Sequence, residues 1–508
     1  MNIILDRFPL NSYLEAKCAL EKSGHAVSLG VLTCQSVIPE NFHDDFFVDR
    51  DVARGIVTDG ATWILDKHNL KKASHHEGLA INVFSRYDIG QKNFSAQEMS
   101  SHYYDLYNFW LFQIKLRKIN FCLHHYMPHD PSSFILYLVA KDNKIPTVFI
   151  DVPHIFNQYR FLSCSFEYRD LLLLSPRENG VDHAFPFRSE SEIFGTILQQ
   201  GGEKSVPMSI RYRFKQNSLI ERLLNNIQGP FNIKLKLKSF LHFFLTAHKS
   251  ANTFFKVSRY SWSSKRSDFT NFSMFCLRIY HYIKLPLART LYEIKCEPIP
   301  DGKFIYFPMP GQPEASTLPA AFEFRDIFLV LRMLRSVIPD EIPIVIKENP
   351  SCFNSRNIYL SGVSYRSRDF YTSLKKIKNV SFVSIHEDSH HLIKESVLVA
   401  TISGTAAIES VYLGKPAVVF SSNWYNKING IFKVKSPNDL EKIWKIITVK
   451  GYSVKPNKSN ISLDNKMMIK FSQHTPYEFN PDSRRNMIIS FIAAIEKFGY
   501  LEDRKWRI

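Results

Sequence analysis

A chain of 508 residues is longer than a single hydrophobic core usually serves, so its length predicts at least two domains. Its 45% hydrophobic and 22% charged residues exclude the low-apolar composition of disordered chains. The formal net charge of +17 favours partners that carry phosphate, namely nucleic acid, an anionic lipid surface, a nucleotide or a lipid diphosphate.

Several other signals narrow the class of protein. The seven cysteines form no CxxC pair, which argues against a zinc site and against a disulfide scaffold. Asp6 and Arg7 interrupt the first apolar run, and no apolar run approaches the roughly 18 residues of a membrane-spanning helix. No zinc-finger, helix-turn-helix or RNA-recognition motif supports nucleic acid as a partner. We therefore expect a cytoplasmic protein that does not bind nucleic acid.

The chain begins with the pattern of a βαβ unit. Apolar runs at Asn2–Leu5 and Ala26–Leu32 predict two strands. Between them, helical spacing over Tyr13–Ser23 predicts a helix that ends at Gly24. This order is typical of a domain built on a parallel sheet.

A second strand, helix and strand are predicted at Asn120–His125, Ser132–Asp142 and Thr147–Ile150. The loop before this helix carries His129 and Asp130. Because loops after strand carboxyl ends line the ligand crevice of an open α/β sheet, this loop is a candidate wall of the site. A polar surface loop, with Asp130 as the helix cap, is the alternative.

Positive charge is concentrated between Arg211 and Arg289, where fifteen Lys or Arg residues face only two acidic residues. Aromatic and basic residues are interleaved there at roughly helical spacing, which is typical of helices that lie on an anionic membrane surface. Amphipathic helices that simply join two domains have the same pattern. Contact of residues 211–289 with the inner face of the cytoplasmic membrane therefore stays one of two interpretations.

From Lys303 onward, strands and helices alternate regularly, which predicts a second doubly wound domain. Later helices are predicted at Asp439–Ile447 and, in the tail, at Asp482–Phe498. The predicted strands of the second domain are Phe304–Phe307, Ile344–Lys347, Ser381–Ile385, Leu398–Ile402 and Ala417–Phe420. The predicted division is 1–205 for an N-terminal Rossmann-like domain, 206–300 for a basic helical insertion, 301–450 for a C-terminal Rossmann-like domain and 451–508 for a tail that returns toward the first domain.

Two loops that follow strands of the second domain carry groups suited to an anionic nucleotide. In the first loop, two prolines and a glycine stiffen the backbone that presents Gln312 and Glu314. Glu314 is a candidate general base or acceptor for sugar hydroxyls, and a helix-start carboxylate is the alternative role. In the second loop, Lys347 is placed to neutralise a phosphate, and Asn349 follows it.

A third loop joins a strand to a helix through Ser403, Gly404 and Thr405. Free backbone N–H groups and hydroxyls at such a helix start favour an anion. Glu409 lies one turn further along the same face, where its carboxylate can accept hydrogen bonds from ribose hydroxyls. The alternative is a capped helix with a glycine for close packing.

Residues Phe304–Val434 resemble the C-terminal half of bacterial capsular-polysaccharide and lipopolysaccharide glycosyltransferases, a group that includes Kdo and other nonulosonate transferases. The resemblance implies a GT-B fold, in which two doubly wound Rossmann-like α/β domains face a cleft. It places the donor nucleotide in the C-terminal domain and the glycan acceptor largely on the N-terminal one. The motifs that carry the resemblance are Tyr306-Phe307-Pro308, Gln312-Pro313-Glu314-Ala315-Ser316-Thr317, Lys347-Glu348-Asn349-Pro350, Ser403-Gly404-Thr405-Ala406-Ala407-Ile408-Glu409 and Gly414-Lys415-Pro416-Ala417-Val418-Val419-Phe420.

The resemblance favours a CMP-nonulosonate as donor, with a UDP-sugar as the alternative. Members that use CMP-activated acidic sugars usually have a His-Pro pair after the lysine strand, whereas this chain has Asn349 followed by Pro350. An amide can donate a hydrogen bond to phosphate, but it cannot carry the positive charge of an imidazolium. His386, His390 and His391 follow on the next loop and helix and are interpreted as surface histidines.

The resulting hypothesis is a transferase in which Lys347 and the helix start at residues 403–405 hold the donor phosphate. Asp130 or His129, with Glu314 as rival, deprotonates the acceptor hydroxyl. No metal cofactor is expected, because the acidic pairs such as Asp49 and Asp51 are not predicted to follow a strand. A nucleotide-sugar 2-epimerase and a catalytically silent polysaccharide-assembly protein remain alternatives.

Overall fold

A computed structural model describes the chain in several ranges, and the statements below refer to these residues. The described ranges are 1–33, 45–86 apart from 54, 56 and 58–60, 95–151, 159–163, 165–166, 284, 287–353 apart from 313, 366–449 apart from 424 and 427, and 452, 454, 469 and 470. Most of the predicted basic insertion and the predicted tail helix Asp482–Phe498 lie outside the described residues. No helix in the described ranges is both long enough and apolar enough to cross a bilayer.

The N-terminal sheet has the strand order β13-β6-β5-β4-β1-β2-β3. Strands β1 to β5 are parallel, whereas β6 runs antiparallel to β5 and β13 antiparallel to β6. Its elements are β1 (Asn2–Phe8), α1 (Leu10–Lys22), β2 (Ala26–Leu32), β3 (Phe46–Val48), α2 (Asp49–Ala53), α3 (Lys67–Ser74), α4 (Glu77–Ser85), α5 (Ala96–Leu116), β4 (Phe121–His124), α6 (Pro131–Asp142), β5 (Thr147–Asp151), β6 (Tyr159–Ser163) and β13 (Ile469–Lys470).

Helices α5 and α6 of this first part begin at side-chain caps. At α5, the Ser95 hydroxyl accepts the N–H of Glu98, whose carboxylate accepts the N–H of Ser95 in return. At α6, Asp130 accepts the N–H of Ser133, and Pro131 occupies the first helical position. Both helices bury apolar faces in one core with β1, β2, β4 and β5.

The C-terminal sheet has six parallel strands in the order β12-β11-β10-β7-β8-β9. Its elements are β7 (Ile305–Pro308), α7 (Ile327–Val337), β8 (Ile344–Lys347), α8 (Arg368–Lys375), β9 (Val380–Val383), α9 (Ser389–Glu395), β10 (Leu398–Thr401), α10 (Ala406–Tyr412), β11 (Ala417–Val419), β12 (Ile431–Lys433) and α11 (Pro437–Thr448).

Successive residues of the central strand β7 pack into two different cores, as expected for a sheet covered on both faces. Tyr306 packs in one core with helices α9 and α10. Ile305 and Phe307 pack in the other with helices α7, α8 and α11. Together with the N-terminal strand order, this confirms the predicted GT-B-like fold class of two doubly wound α/β sheets.

Each sheet contains a point at which the strand order reverses. In the N-terminal sheet β1 lies between β2 and β4, and in the C-terminal sheet β7 lies between β8 and β10. After β1 the chain turns to one side of its sheet, and after β4 it turns to the other side. The same is true of β7 and β10. Such a reversal opens a crevice at the carboxyl edge of the sheet. The loops that were predicted to bind ligand leave β4, β7, β8 and β10 at these edges.

The loop that follows β7 also contacts the N-terminal part of the chain. Leu318 and Ala320 belong to the hydrophobic core of the N-terminal sheet. The ring of Phe322 packs edge-on against that of Phe166, with centroids 5.7 Å apart. One guanidinium nitrogen of Arg86 donates to the Leu318 carbonyl at 2.7 Å. The two sheets are thus joined through this loop.

Candidate functional site

Lys347 is the last residue of β8, and its side chain is almost completely buried, with 8% of the residue exposed. Its ammonium donates to the carbonyl of Glu387 at 2.7 Å and to the hydroxyl of Ser389 at 2.8 Å. Burial lowers the pKa of Lys347 to about 8, although nearby carboxylates oppose the shift. A cation is therefore held at the carboxyl edge of the sheet, where the sequence predicted one.

Glu409 lies on α10, across β7 from Lys347, and both of its carboxylate oxygens are engaged. The Thr405 hydroxyl donates to Oε1 at 3.1 Å. Nε2 of His390 lies 3.4 Å from Oε2. His390 follows Ser389 directly, so two consecutive residues of α9 contact Lys347 and Glu409 respectively. His390 was interpreted as a surface histidine, and its side chain is 43% exposed, but it also contacts Glu409.

The turn before α10 brings its backbone close to the end of β10. A Cβ atom on Gly404 would lie 2.7 Å from Oγ1 of Thr401, which accepts the Gly404 N–H at 3.1 Å. The Tyr425 hydroxyl donates to the Gly404 carbonyl at 3.1 Å. Thr405 takes the cap position but uses its hydroxyl for Glu409 instead of a backbone N–H. Ser403 is half-buried beside them.

Glu348, the residue after Lys347, forms a buried ion pair with Arg366 that the sequence did not predict. The Glu348 carboxylate accepts from Nε of Arg366 at 2.8 Å and from the Tyr371 hydroxyl at 2.9 Å. Its other oxygen accepts the N–H of Asn349 at 2.9 Å. Arg366 also donates to the amide oxygen of Gln312 at 3.0 Å. Gln312 and Asn349, predicted to bind donor, are thus bonded to the Glu348–Arg366 pair.

The predicted base Asp130 is closely bound by other groups. Its carboxylate caps α6 and forms an ion pair with Arg7, which also lies 3.4 Å from Asp49. Burial alone would raise the pKa of Asp130, but the charge of Arg7, His129 and backbone N–H groups together lower it. The prediction that no acidic pair follows a strand is wrong for Asp49, which begins α2 directly after β3.

His129 and Glu314 are the other two predicted catalytic residues. Nδ1 of His129 contacts the Met127 carbonyl at 2.7 Å, and burial, with the charges of Arg86 and Arg7, lowers the pKa of His129 to about 4. Burial raises the pKa of Glu314, while the Ser316 hydroxyl and Arg86 partly oppose this. Of the two candidate carboxylates, Glu314 is therefore a stronger base than Asp130.

Arg86 connects the loops that carry these two residues. The same guanidinium nitrogen donates to the His129 carbonyl at 2.9 Å and to the Leu318 carbonyl. Arg86 thus links the loop that carries His129 to the loop that follows β7. It brings Lys347 and Glu409 together through α9.

A second buried pair occupies the N-terminal crevice edge. Nδ1 of His124, at the end of β4, lies 2.6 Å from Oδ2 of Asp6 on β1, and both side chains are buried. His386 contacts Arg289 and is half-buried, whereas His391 is exposed. Short-range sequence patterns gave no signal for either contact, since each joins residues about a hundred positions apart.

No protein-family model matches the chain, and no curated protein matches it. Among solved structures, the chain is similar to KpsC, a beta Kdo 2,7 transferase of Thermosulfurimonas dismutans, at 19% identity and a TM-score of 0.21. That match covers 32% of this chain and 47% of the other, so the chain spans less than half of that protein. It is also similar to the UDP-GlcNAc 2-epimerase of Methanocaldococcus jannaschii, at 11% identity and a TM-score of 0.26, over 97% of this chain and 99% of that one. A UDP-GlcNAc 2-epimerase of Neisseria meningitidis bound to UDP-GlcNAc matches at 13% identity and a TM-score of 0.22, over 98% and 99%.

Proposed function

We propose that this chain is a glycosyltransferase that moves a sugar from a nucleotide donor to a capsule or lipopolysaccharide glycan. A CMP-nonulosonate is the favoured donor, and a UDP-sugar is the alternative. The proposal rests on the residues at the carboxyl edge of the C-terminal sheet and on the resemblance of the motifs in residues 304–434 to those of capsular-polysaccharide glycosyltransferases. Contact with a membrane through residues 211–289 stays a prediction.

The observation that carries the proposal is the link between Lys347 and Glu409 through Ser389 and His390. These groups flank β7, where an open α/β sheet binds its ligand. Lys347 neutralises the donor phosphate, and Glu409 accepts hydrogen bonds from the ribose hydroxyls. Fixed charges and dipoles then stabilise the leaving nucleotide without reorganisation, so the proposal includes no metal.

In the proposed reaction, the acceptor oxygen forms a bond to the anomeric carbon, and the bond from that carbon to the phosphate oxygen breaks. The nucleotide leaves with the electron pair of the broken bond. Glu314 takes the proton of the acceptor hydroxyl, because its raised pKa makes it a stronger base than Asp130. Asp130 is better suited to hold the loop in place, since it caps α6 and pairs with Arg7.

The test is to incubate the full chain with CMP-nonulosonates and UDP-sugars, with and without a lipid-linked glycan acceptor, and to identify products by mass spectrometry. We expect an extended glycan, formed equally well in excess EDTA. A nucleotide sugar isomerised without acceptor would instead establish a 2-epimerase. Failure of every nucleotide to bind would point to a silent assembly protein.

The donor site has its own matched test. The double variant Ser403→Ala/Thr405→Ala is expected to bind nucleotide about ten-fold more weakly, because two hydroxyls near the phosphate are lost. Ser336→Ala/Thr372→Ala removes the same two side-chain types from exposed positions on α7 and α8 and should bind as the wild type does. Equal affinity of both double variants would remove the proposed donor site.

A further inference from the structure

His390 lies at the junction of three elements of the proposed donor site. It is in the first turn of α9, where Asp388 caps the helix and accepts the His390 N–H at 3.0 Å. The imidazole extends to α10, where Nε2 lies 3.4 Å from Oε2 of Glu409. Since Thr405 occupies the other oxygen of Glu409, that carboxylate has a partner on each side. His390 therefore fixes the orientation of Glu409.

The residue before His390 contacts the cation of the same site. The Ser389 hydroxyl accepts from Lys347 at 2.8 Å. The first turn of α9 thus spans the distance from the end of β8 to α10. A group bound between Lys347 and Glu409 would lie beside His390, whose side chain is 43% exposed and open to a ligand.

The charges around this position favour a protonated imidazole. Glu409 raises the pKa of His390 through direct contact, Asp388 acts in the same direction, and burial and Lys394 oppose the shift. The cation Lys347 is faced by several carboxylates, and without a second cation they would repel an anionic ligand. The carboxylates that act on Lys347 are those of Asp388, Glu387, Glu409 and Glu293.

We propose that His390 is a further donor-binding residue, which positions the Glu409 carboxylate and, when protonated, adds a second positive charge beside Lys347 for the phosphate of the nucleotide. This inference rests on the proposed function, since it names another residue of the same site. It identifies the ligand group as a nucleoside mono- or diphosphate. The imidazolium supplies the positive charge that the amide of Asn349 cannot carry.

A measurable consequence is that nucleotide binding takes up protons. A ligand that binds more tightly to protonated His390 raises the fraction of protonated imidazole as it binds. For a one-unit increase in the pKa of a half-protonated group, the uptake is about 0.4 proton. The same coupling makes binding about five-fold tighter at pH ~6 than at pH ~8 for a group that is half-protonated near pH ~7.

The experiment is titration calorimetry of the full chain with UDP and with CMP, near pH 7, in two buffers that differ in ionisation enthalpy. Proton uptake is obtained for the wild type and for His390→Gln, and the difference cancels the contributions of Lys347 and of the nucleotide phosphate. His391→Gln is the matched control, because it replaces the adjacent, exposed histidine of the same helix. We expect His390→Gln to lose the extra uptake and the pH dependence, and His391→Gln to keep both.

Two results would decide against the inference, and they differ from each other. If the wild type binds UDP or CMP and His390→Gln shows the same proton uptake, His390 is not part of the donor site, while the proposed function stands. If neither nucleotide binds the wild type, the proposed function fails and the inference fails with it. An NMR titration of the imidazole adds a readout without ligand, since Glu409→Gln should lower the pKa of His390 toward its usual value.

Discussion

The buried pair of Glu348 and Arg366 gives the sharpest stability prediction. Their side chains are 0% and 1% exposed, and Glu348 accepts three hydrogen bonds, from Arg366, Tyr371 and the N–H of Asn349. Burial alone would lower the pKa of Arg366, but Glu348 raises it above its usual value. In Glu348→Ala the guanidinium is left buried without its counter-charge.

Breaking a buried ion pair by removing one partner typically costs about 3–5 kcal/mol. For a folding unit of about 150–250 residues, each kcal/mol lowers the unfolding midpoint by roughly 2–4 °C. Glu348→Ala should therefore lower the midpoint by about 6–20 °C. The measurement is differential scanning calorimetry of the full chain, read at the transition that shifts, because a chain of several domains does not unfold in one step.

Two further variants separate the ion pair from a general effect of mutation. Glu341→Ala removes an exposed carboxylate from the same region and should change the midpoint by about 1 °C or less. Glu348→Ala combined with Arg366→Met removes both charges, so the double variant should be more stable than the sum of the single effects predicts. A midpoint for Glu348→Ala within about 1 °C of the wild type, or strict additivity in the double variant, would refute the reasoning.

Three more predictions concern single positions. Gly404→Ala should destabilise the chain by about 1–3 kcal/mol because its Cβ would meet the Thr401 hydroxyl, and adding Thr401→Ala should recover part of the loss in a thermal-shift assay. The pKa of Lys347 is lowered to about 8, below the ~10.4 of an unfolded lysine. The contribution of Lys347 to the free energy of unfolding should therefore increase as the pH rises from ~8 to ~10.4, by up to about 1.4 kcal/mol per pH unit. A plot of Tm against pH for Lys347→Met should lack this increase. Because the pKa of Asp130 is lowered, its stabilisation is present above pH ~4 and lost as the pH falls further, so Asp130→Asn should cost about 1–3 kcal/mol at neutral pH and less in acid. A deficit that is constant over this range would contradict the ion pair with Arg7.

The strands of the C-terminal sheet were predictable because their apolar runs are short and end at polar loop residues. Ile344–Lys347 was predicted with the bounds that the structure has. The first strand is longer than predicted, since it continues from Leu5 to Phe8. Asp6 and Arg7 read as loop residues in the sequence, but both remain in the strand because they pair with polar groups of neighbouring elements.

The candidate site was predictable only in part, and the reason is sequence separation. Lys347, Gly404 and Glu409 stand in loops that follow predicted strands, where topology alone brings them near each other. Glu348 and Arg366 are 18 positions apart in the sequence, so no helix or strand periodicity indicates that they pair. The bond from Arg86 to Leu318 spans 232 positions.

The position of Glu314 follows from both sheets at once. Its backbone carbonyl accepts from the N–H groups of Thr317 and Leu318, so the turn that carries Glu314 is continuous with the segment packed in the N-terminal core. Arg86 then ties the Leu318 carbonyl to that of His129. A base mounted on this turn is held by the N-terminal core through Leu318 and by the C-terminal part through the bond of Gln312 to Arg366, whereas Lys347 and Glu409 stand on elements of the C-terminal sheet. The distance between the proposed base and the proposed donor site therefore depends on how the contact between the two sheets is made.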